Sequence, residues 1–199
     1  MSQRLIDLGK QLQQRPAALA GLLVVLMLTV LAIAAPWIAP HDPIQQYRDA
    51  LLSPPWWAGG DPRFLLGTDD LGRDVASRLL WGARVSLAVG LAAVLLAMVP
   101  GTLLGLLAAF LPGWPALLIN RVADVLVAIP GLLLAIAVVA VLGPGLVNTV
   151  LAIALVMMPP FVRLVRAAAL AEQARDYVTA SRIAGASRLR LMFDTVLPN

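Results

Sequence analysis

Long apolar runs alternate with short polar intervals along this chain of 199 residues. Four of the runs are long enough to cross about 30 Å of hydrocarbon, which takes about 20 residues. They cover residues 17–38, 85–110, 117–142 and 146–162. Pro100-Gly101 interrupts the second and Pro159-Pro160 lies near the end of the fourth. Prolines and glycines inside such runs argue against long soluble helices, but membrane helices tolerate them because neighbours satisfy the freed carbonyls. The pattern predicts an all-α, polytopic integral membrane protein. Its polar segments are 1–16, 39–84, 111–116 and 163–199.

Composition agrees. The chain is 60% hydrophobic and 13% charged, whereas soluble domains carry about a quarter charged residues. Cysteine is absent, which excludes a disulfide framework, thiolate ligands and a cysteine nucleophile. The first run could be a signal peptide, since Arg4, Lys10 and Arg15 precede it and Ala32, Ala34 and Ala35 cluster near its end. It exceeds the usual apolar core of about 7–15 residues, and Pro36 and Pro40 sit where cleavage would occur. An uncleaved anchor is the expectation.

Charge placement orients the spans. Arg4, Lys10 and Arg15 face only Asp7, and six arginines after the fourth run (163, 166, 175, 182, 188 and 190) face Glu172, Asp176 and Asp194. Residues 39–84 balance five arginines against six aspartates. Both termini are therefore expected in the cytoplasm and 39–84 outside.

In the outer segment, Pro40, Pro43, Pro54, Pro55 and Pro62 with Gly59-Gly60 mark turns. Trp37, Trp56, Trp57 and Trp81 read as interfacial anchors or as a contact surface for a substrate-delivery protein. Thr68 or Asp69 can cap a helix start. Asp70, Arg73, Asp74, Arg78 and Arg84 are placed to pair along a short amphipathic helix that lies on the membrane before turning inward at Val85. As metal ligands the aspartates are weak, because oxygen-ligand sites need several convergent acceptors and arginines compete for these.

Within the spans, Arg121 and Asp124 open the third, beside Asn120. Ionisable residues inside a membrane are costly and point to function; three residues apart on one helical face, these two are also placed to pair structurally. An intramembrane enzyme is disfavoured. The single histidine, His41, lies outside the spans, and Asp124 lacks the second carboxylate of an aspartyl dyad. Lys10, the only lysine, follows no phosphate-binding loop, so ATP hydrolysis within this chain is excluded.

Residues 163–199 are alanine-rich and helix-permissive, with Gly185 a candidate C-cap and Ser187 a candidate N-cap. Tyr177, Ala180 and Ala184 recur at helical spacing with Ile183 beside them, giving a compact apolar ridge. Such a ridge suits a helix seated in a groove of a soluble partner, or equally one lying on the membrane surface.

The run Gly67-Thr68-Asp69-x-Leu71-Gly72-Arg73-Asp74, followed by Ser77-Arg78-Leu79 and Gly82-Ala83-Arg84-x-Ser86-Leu87, closely resembles the oligopeptide/dipeptide/nickel class of ABC-transporter permease subunits. Within it, the type with a short amino-terminal tail fits, as does His41-Asp42-Pro43 after the first span. The resemblance implies a permease-type domain over about 83–199 in a bacterial inner membrane. Its implied partners are ATP-binding subunits, a second permease and an extracytoplasmic solute-binding protein, with no nucleic acid involved. No cofactor is implied in this chain, ATP and magnesium belonging to the partner subunits.

Tyr177-Val178-Thr179-Ala180-Ser181, with Ile183 and Gly185 and the later Leu197-Pro198-Asn199, is similar to the loop that inserts a coupling helix into the ATPase. The loop's common Glu-Ala-Ala is Thr179-Ala180-Ser181 here, which removes one charge-assisted hydrogen bond. In the resembling family similar residues open the third span before an Ile-Pro pair, here Ile129-Pro130, which admits a role for Arg121 and Asp124 in the pathway. Family members carry two more spans after the Leu-Pro motif. The expectation is that these 199 residues do not transport alone; the alternative function is a truncated, non-transporting membrane protein that retains only partner docking.

Overall fold

A computed structural model of the chain describes residues 15–198; the expectations placed on Arg4, Lys10 and Asn199 lie outside the described residues. The chain divides into two units, residues 1–88 and 89–199. The regular structure among the described residues is helical, their one β feature being an isolated bridge between Thr68 and Asp74.

In the first unit, α1 spans Pro16–Ile38. Pro16 opens it where a missing N–H costs nothing, and only Ala32 and Ala35 of its side chains are buried. Its 23 residues rise about 35 Å, a full crossing. Residues 39–74 form an irregular, hydrogen-bonded segment with a single 3-10 turn at Trp56–Ala58. Helix α2, Val75–Phe110, begins in this unit and runs on into the second as one helix. The separate amphipathic helix expected before Val85 is therefore not formed: residues 67–74 are non-helical, and 75–84 are the first turns of α2.

In the second unit, the third run, expected as one span over 117–142, is broken into α3 (Trp114–Ala128) and α4 (Gly131–Leu142), with a bend of 98° between them. The cause is local. A residue before proline is driven out of the helical region; Ile129 takes φ −88°, ψ 130°, and Pro130 is extended as well. At the end of α4 the Asn148 amide donates to the carbonyls of Leu142 and Gly143 at 2.9 and 3.0 Å, satisfying groups that hydrocarbon would leave bare.

Helix α5, Leu146–Gln173, continues eleven residues past the fourth apolar run, with Pro159 and Pro160 inside it. It packs against α2 at backbone distance. A Cβ at Gly101 would lie 2.7 Å from Phe161 Cβ, and one at Gly105 would lie 2.8 Å from the Val162 carbonyl oxygen. Gly101-x-x-x-Gly105, with Ala93, Ala97 and Ala108 also buried, is the small-residue spacing by which membrane helices approach closely. Three helices (α1, α2 and α5) are long and apolar enough to cross a membrane, and the bent pair α3–α4 makes a fourth if counted as one span.

Candidate functional site

The resemblance-bearing residues of the first unit build a hydrogen-bonded knot around the start of α2. Asp74 is fully buried and caps the helix: its carboxylate accepts from the Ala76 and Ser77 amides at 3.3 and 3.1 Å and from the Ser77 hydroxyl at 2.5 Å. Neither Thr68 nor Asp69 is the cap, because the helix starts later than the sequence suggested. Thr68 instead ties strands of loop together, accepting from the Ser53 amide at 2.9 Å and donating to the Ala50 carbonyl.

Asp69 gathers cations and amides. It accepts from the amides of Leu71 and Arg73 at 3.0 and 2.9 Å, pairs with Arg73 Nε at 2.8 Å and pairs with Arg78. Burial pushes its carboxyl up, but the hydrogen bonds from Arg73 and Leu71 outweigh that and hold it below the ordinary carboxylate range. Gly67 and Gly72 sit at φ +78° and +73°, and a Cβ on either would lie 2.2 Å from the Ser53 or Tyr47 carbonyl oxygen. Two glycines of the signature are thus required by both conformation and space. Gly82 faces open space, Ala83 is half-buried, and Arg84 stacks on Trp81 at 5.6 Å. The expected pairing along one helix is accordingly redistributed: Asp69 takes Arg73 and Arg78, Asp70 is exposed, and Asp74 faces His41.

His41 Nδ1 lies 3.3 Å from Asp74 Oδ2, and the His41 amide donates to Ser77 Oγ at 3.0 Å. The ring packs on Tyr47 and on the fully buried Phe64. Sequence spacing did not anticipate this meeting of serine, aspartate and histidine. Its order is wrong for nucleophilic catalysis, which needs an imidazole on the serine hydroxyl; here the Ser77 proton goes to the carboxylate and the serine is buried. The cluster is a structural lock.

In the second unit, Asp124 pairs with Arg163 of α5, Oδ1 to Nη2 at 2.7 Å, rather than with Arg121, which is exposed. The tertiary partner competes with the neighbour one turn away because α5 packs along α3. Both members of the pair are about half exposed, at 49% and 50%.

The segment after α5 folds into a short core. Helix α6, Asp176–Ile183, buries Val178 completely against Leu106, Ala169, Leu191, Met192 and Val196. The Gln173 amide donates to the Ala109 carbonyl at 3.1 Å, tying the end of α5 to α2. Gly185 closes α6 at φ +85°, with its amide on Arg182 O and the Ala186 amide on Ser181 O, both at 3.1 Å. This is the paired arrangement of a Schellman cap, as predicted for Gly185. Ser187 caps α7 (Arg188–Arg190) by accepting the Arg190 amide, also as predicted, and a π-helical turn, Leu191–Val196, follows.

Of the seven residues expected on a docking face, Val178 is instead anchored inward. Tyr177, Thr179, Ala180 and Ile183 are exposed, Ile183 at 83%, and Ser181 is half-buried with its hydroxyl on the Tyr177 carbonyl. Gly185 is exposed at the cap. The Tyr177 hydroxyl donates to Glu172, and that hydrogen bond raises the phenol above its ordinary value. The ridge of Tyr177, Ala180, Ile183 and Ala184 thus stands outward on a helix fixed from beneath by one valine.

Residues 101–199 match the model of the binding-protein-dependent transport system inner membrane component, and residues 5–55 match the N-terminal TM domain of oligopeptide transport permease C. The chain is 60% identical over 183 residues to a di/tripeptide transport system permease protein DppC of Pseudomonas aeruginosa, covering 92% of this chain and 60% of that one. It is 50% identical over 188 residues to a dipeptide transport system permease protein DppC of Haemophilus influenzae, covering 94% and 64%. To a glutathione transport system permease protein GsiD of Pectobacterium atrosepticum it is 42% identical over 187 residues, covering 94% and 60%. The chain therefore spans a little under two thirds of the length of these relatives.

Proposed function

Since the chain belongs to the binding-protein-dependent transport permeases, and within them to the oligopeptide/dipeptide class, we propose that it is a transmembrane subunit of an ATP-driven importer of di- or oligopeptides. The two DppC relatives carry di/tripeptide and dipeptide transport in their descriptions, and their 60% and 50% identity to this chain supports that substrate class over nickel. In this reading a solute-binding protein delivers peptide to the side bearing residues 39–84. A second permease completes the pathway. Separate subunits bind and hydrolyse ATP on the opposite, cytoplasmic side, where both termini lie.

The observation that carries the proposal is α6. Its outward ridge is apolar and small, which suits a groove in a soluble partner, and Val178 joins it to the ends of α2 and α5. A push on α6 is thereby delivered to two membrane helices rather than to a slack loop. Thr179 and Ser181 occupy the positions where the family's loop carries glutamate and alanine, so docking rests on shape rather than on a charged hydrogen bond.

The test uses the absence of cysteine in the chain. A single cysteine at Ala180 or Ile183 should cross-link to the co-expressed ATP-binding subunit, and one at Leu164, exposed on α5, should not. ATP-dependent dipeptide uptake by vesicles carrying the chain and its partners separates a transporting subunit from one that only docks. Equal cross-linking from all three positions would sink the coupling-helix reading.

A further inference from the structure

We infer that the groove between α1 and the first turns of α2 is a binding site for an anionic phospholipid, with Arg84 on the headgroup phosphate. Thr29, Ala32, Ile33, Pro36 and Trp37 form one wall, and Arg84 and Leu87 the other, around ≈ 340 Å³. From Trp37 to Thr29 the α1 wall descends eight residues, about 12 Å, a depth suited to the upper part of an acyl chain. The wall is apolar throughout, since the Thr29 hydroxyl is turned back onto the Val25 carbonyl at 2.8 Å.

The level of the groove follows from its residues. Trp37 is the last residue but one of α1, and Arg84 immediately precedes the apolar stretch of α2. Tryptophan at a helix end marks the headgroup level of a bilayer, and Trp81 lies under the Arg84 guanidinium. Charge then selects the occupant. Arg73 and Arg78 are both taken up by Asp69, whereas Arg84 forms no ion pair among the described residues and stands at the mouth of an apolar cleft. An arginine matches a phosphate diester with a fork of N–H donors, while a neighbouring protein helix would have to bring its own carboxylate. The stacked ring beneath holds the guanidinium in place, so the site is preorganised. This assignment is independent of what the chain transports.

The test reads Trp37 and Trp81 by fluorescence in the full chain, with Trp56, Trp57 and Trp114 replaced by phenylalanine. Brominated phosphatidylglycerol is titrated against brominated phosphatidylcholine in detergent micelles. Quenching by the anionic lipid is expected at about fivefold lower concentration, the contribution of one cationic side chain at an anionic surface, and R84Q should abolish the difference. R84K, which keeps the charge and the helix, should keep most of the preference even where R84Q compromises folding. Equal quenching by the two lipids would overturn the assignment, as would a preference that survives R84Q or disappears in R84K. Absence of quenching by either lipid would also overturn it, showing that a protein element covers the groove.

Discussion

Replacing Asp74 by alanine should loosen residues 39–84 while leaving the second unit intact. Removal of a capping carboxylate typically costs about 1 kcal/mol. Here the same carboxylate also receives the Ser77 hydroxyl and two amides at a site closed to water, and stranding buried donors adds about 1–3 kcal/mol. The sum, about 3 kcal/mol, corresponds to roughly a hundredfold increase in the population of the opened segment, at about 1.4 kcal/mol per factor of ten. Asp74→Asn keeps an acceptor at the cap and should cost about 1 kcal/mol, a factor of roughly five. Hydrogen exchange followed by mass spectrometry reads this directly. The Leu52, Thr68, Asp69 and Val75 amides bond to Asp69, Ser53, Arg73 and Gly67 carbonyls respectively and should exchange faster in that graded order of variants. The reasoning fails if the alanine variant exchanges within twofold of the parent, or if residues 176–196 are accelerated as much as 47–77.

Three further outcomes are expected. Gly105→Ala places a Cβ 2.8 Å from the Val162 oxygen and 2.9 Å from Val165 Cβ, so it should destabilise by about 1–3 kcal/mol in a thermal melt. Gly90→Ala, which meets nothing within 4 Å, should be neutral or stabilising by comparison. Asp69, Asp49 and Asp61 all have carboxyls held below their ordinary value, Asp49 and Asp61 chiefly by the Arg63 side chain. Stability from depressed carboxyls is complete above the unfolded value, near 4, and is lost as pH falls through the folded values. Amide protection in 48–73 should therefore persist to below pH 4, and Asp69→Asn should lower it at neutral pH and flatten its acid dependence. For the Asp124–Arg163 pair, Asp124→Leu alone strands a cation at the membrane helix, whereas D124L combined with R163L removes both charges; the double variant should melt above either single one.

What could be read along the chain follows what the physics makes local. Span positions come from composition over about 20 residues, and the ends of α4 and α5 at Leu142 and Leu146 agree with the apolar runs. Gly185 and Ser187 were legible because a cap needs only one residue type at one place. The 98° bend was not, since hydropathy sums over Ile129-Pro130 without registering direction. Spacing along the chain pairs Asp124 with Arg121 because it sees one helix at a time, while Arg163 reaches it from α5. The ridge of α6 was recognised as a pattern, but Val178 differs from it only by a rotation about the helix axis that depends on where Leu106 and Met192 lie. The signature residues are legible as a set, without their individual tasks. The tasks depend on partners distant along the chain: Gly67 and Gly72 make room for the Ser53 and Tyr47 carbonyls, Thr68 staples Ser53 to Ala50, and Asp74 meets His41.

The contact between Gly101, Gly105 and α5 has a mechanical corollary. Where two helices meet through long side chains, rotamer changes absorb small displacements and let one rod slip past the other. Here main chain touches main chain, and no cushion remains. The two notches are four residues apart, about 6 Å along the axis, so any axial slide smaller than that drives Phe161 or Val165 out of its recess onto the flank of α2. The pair behaves as a keyed joint: it resists creep, and a displacement at the far end of α5 is carried by α2 as well.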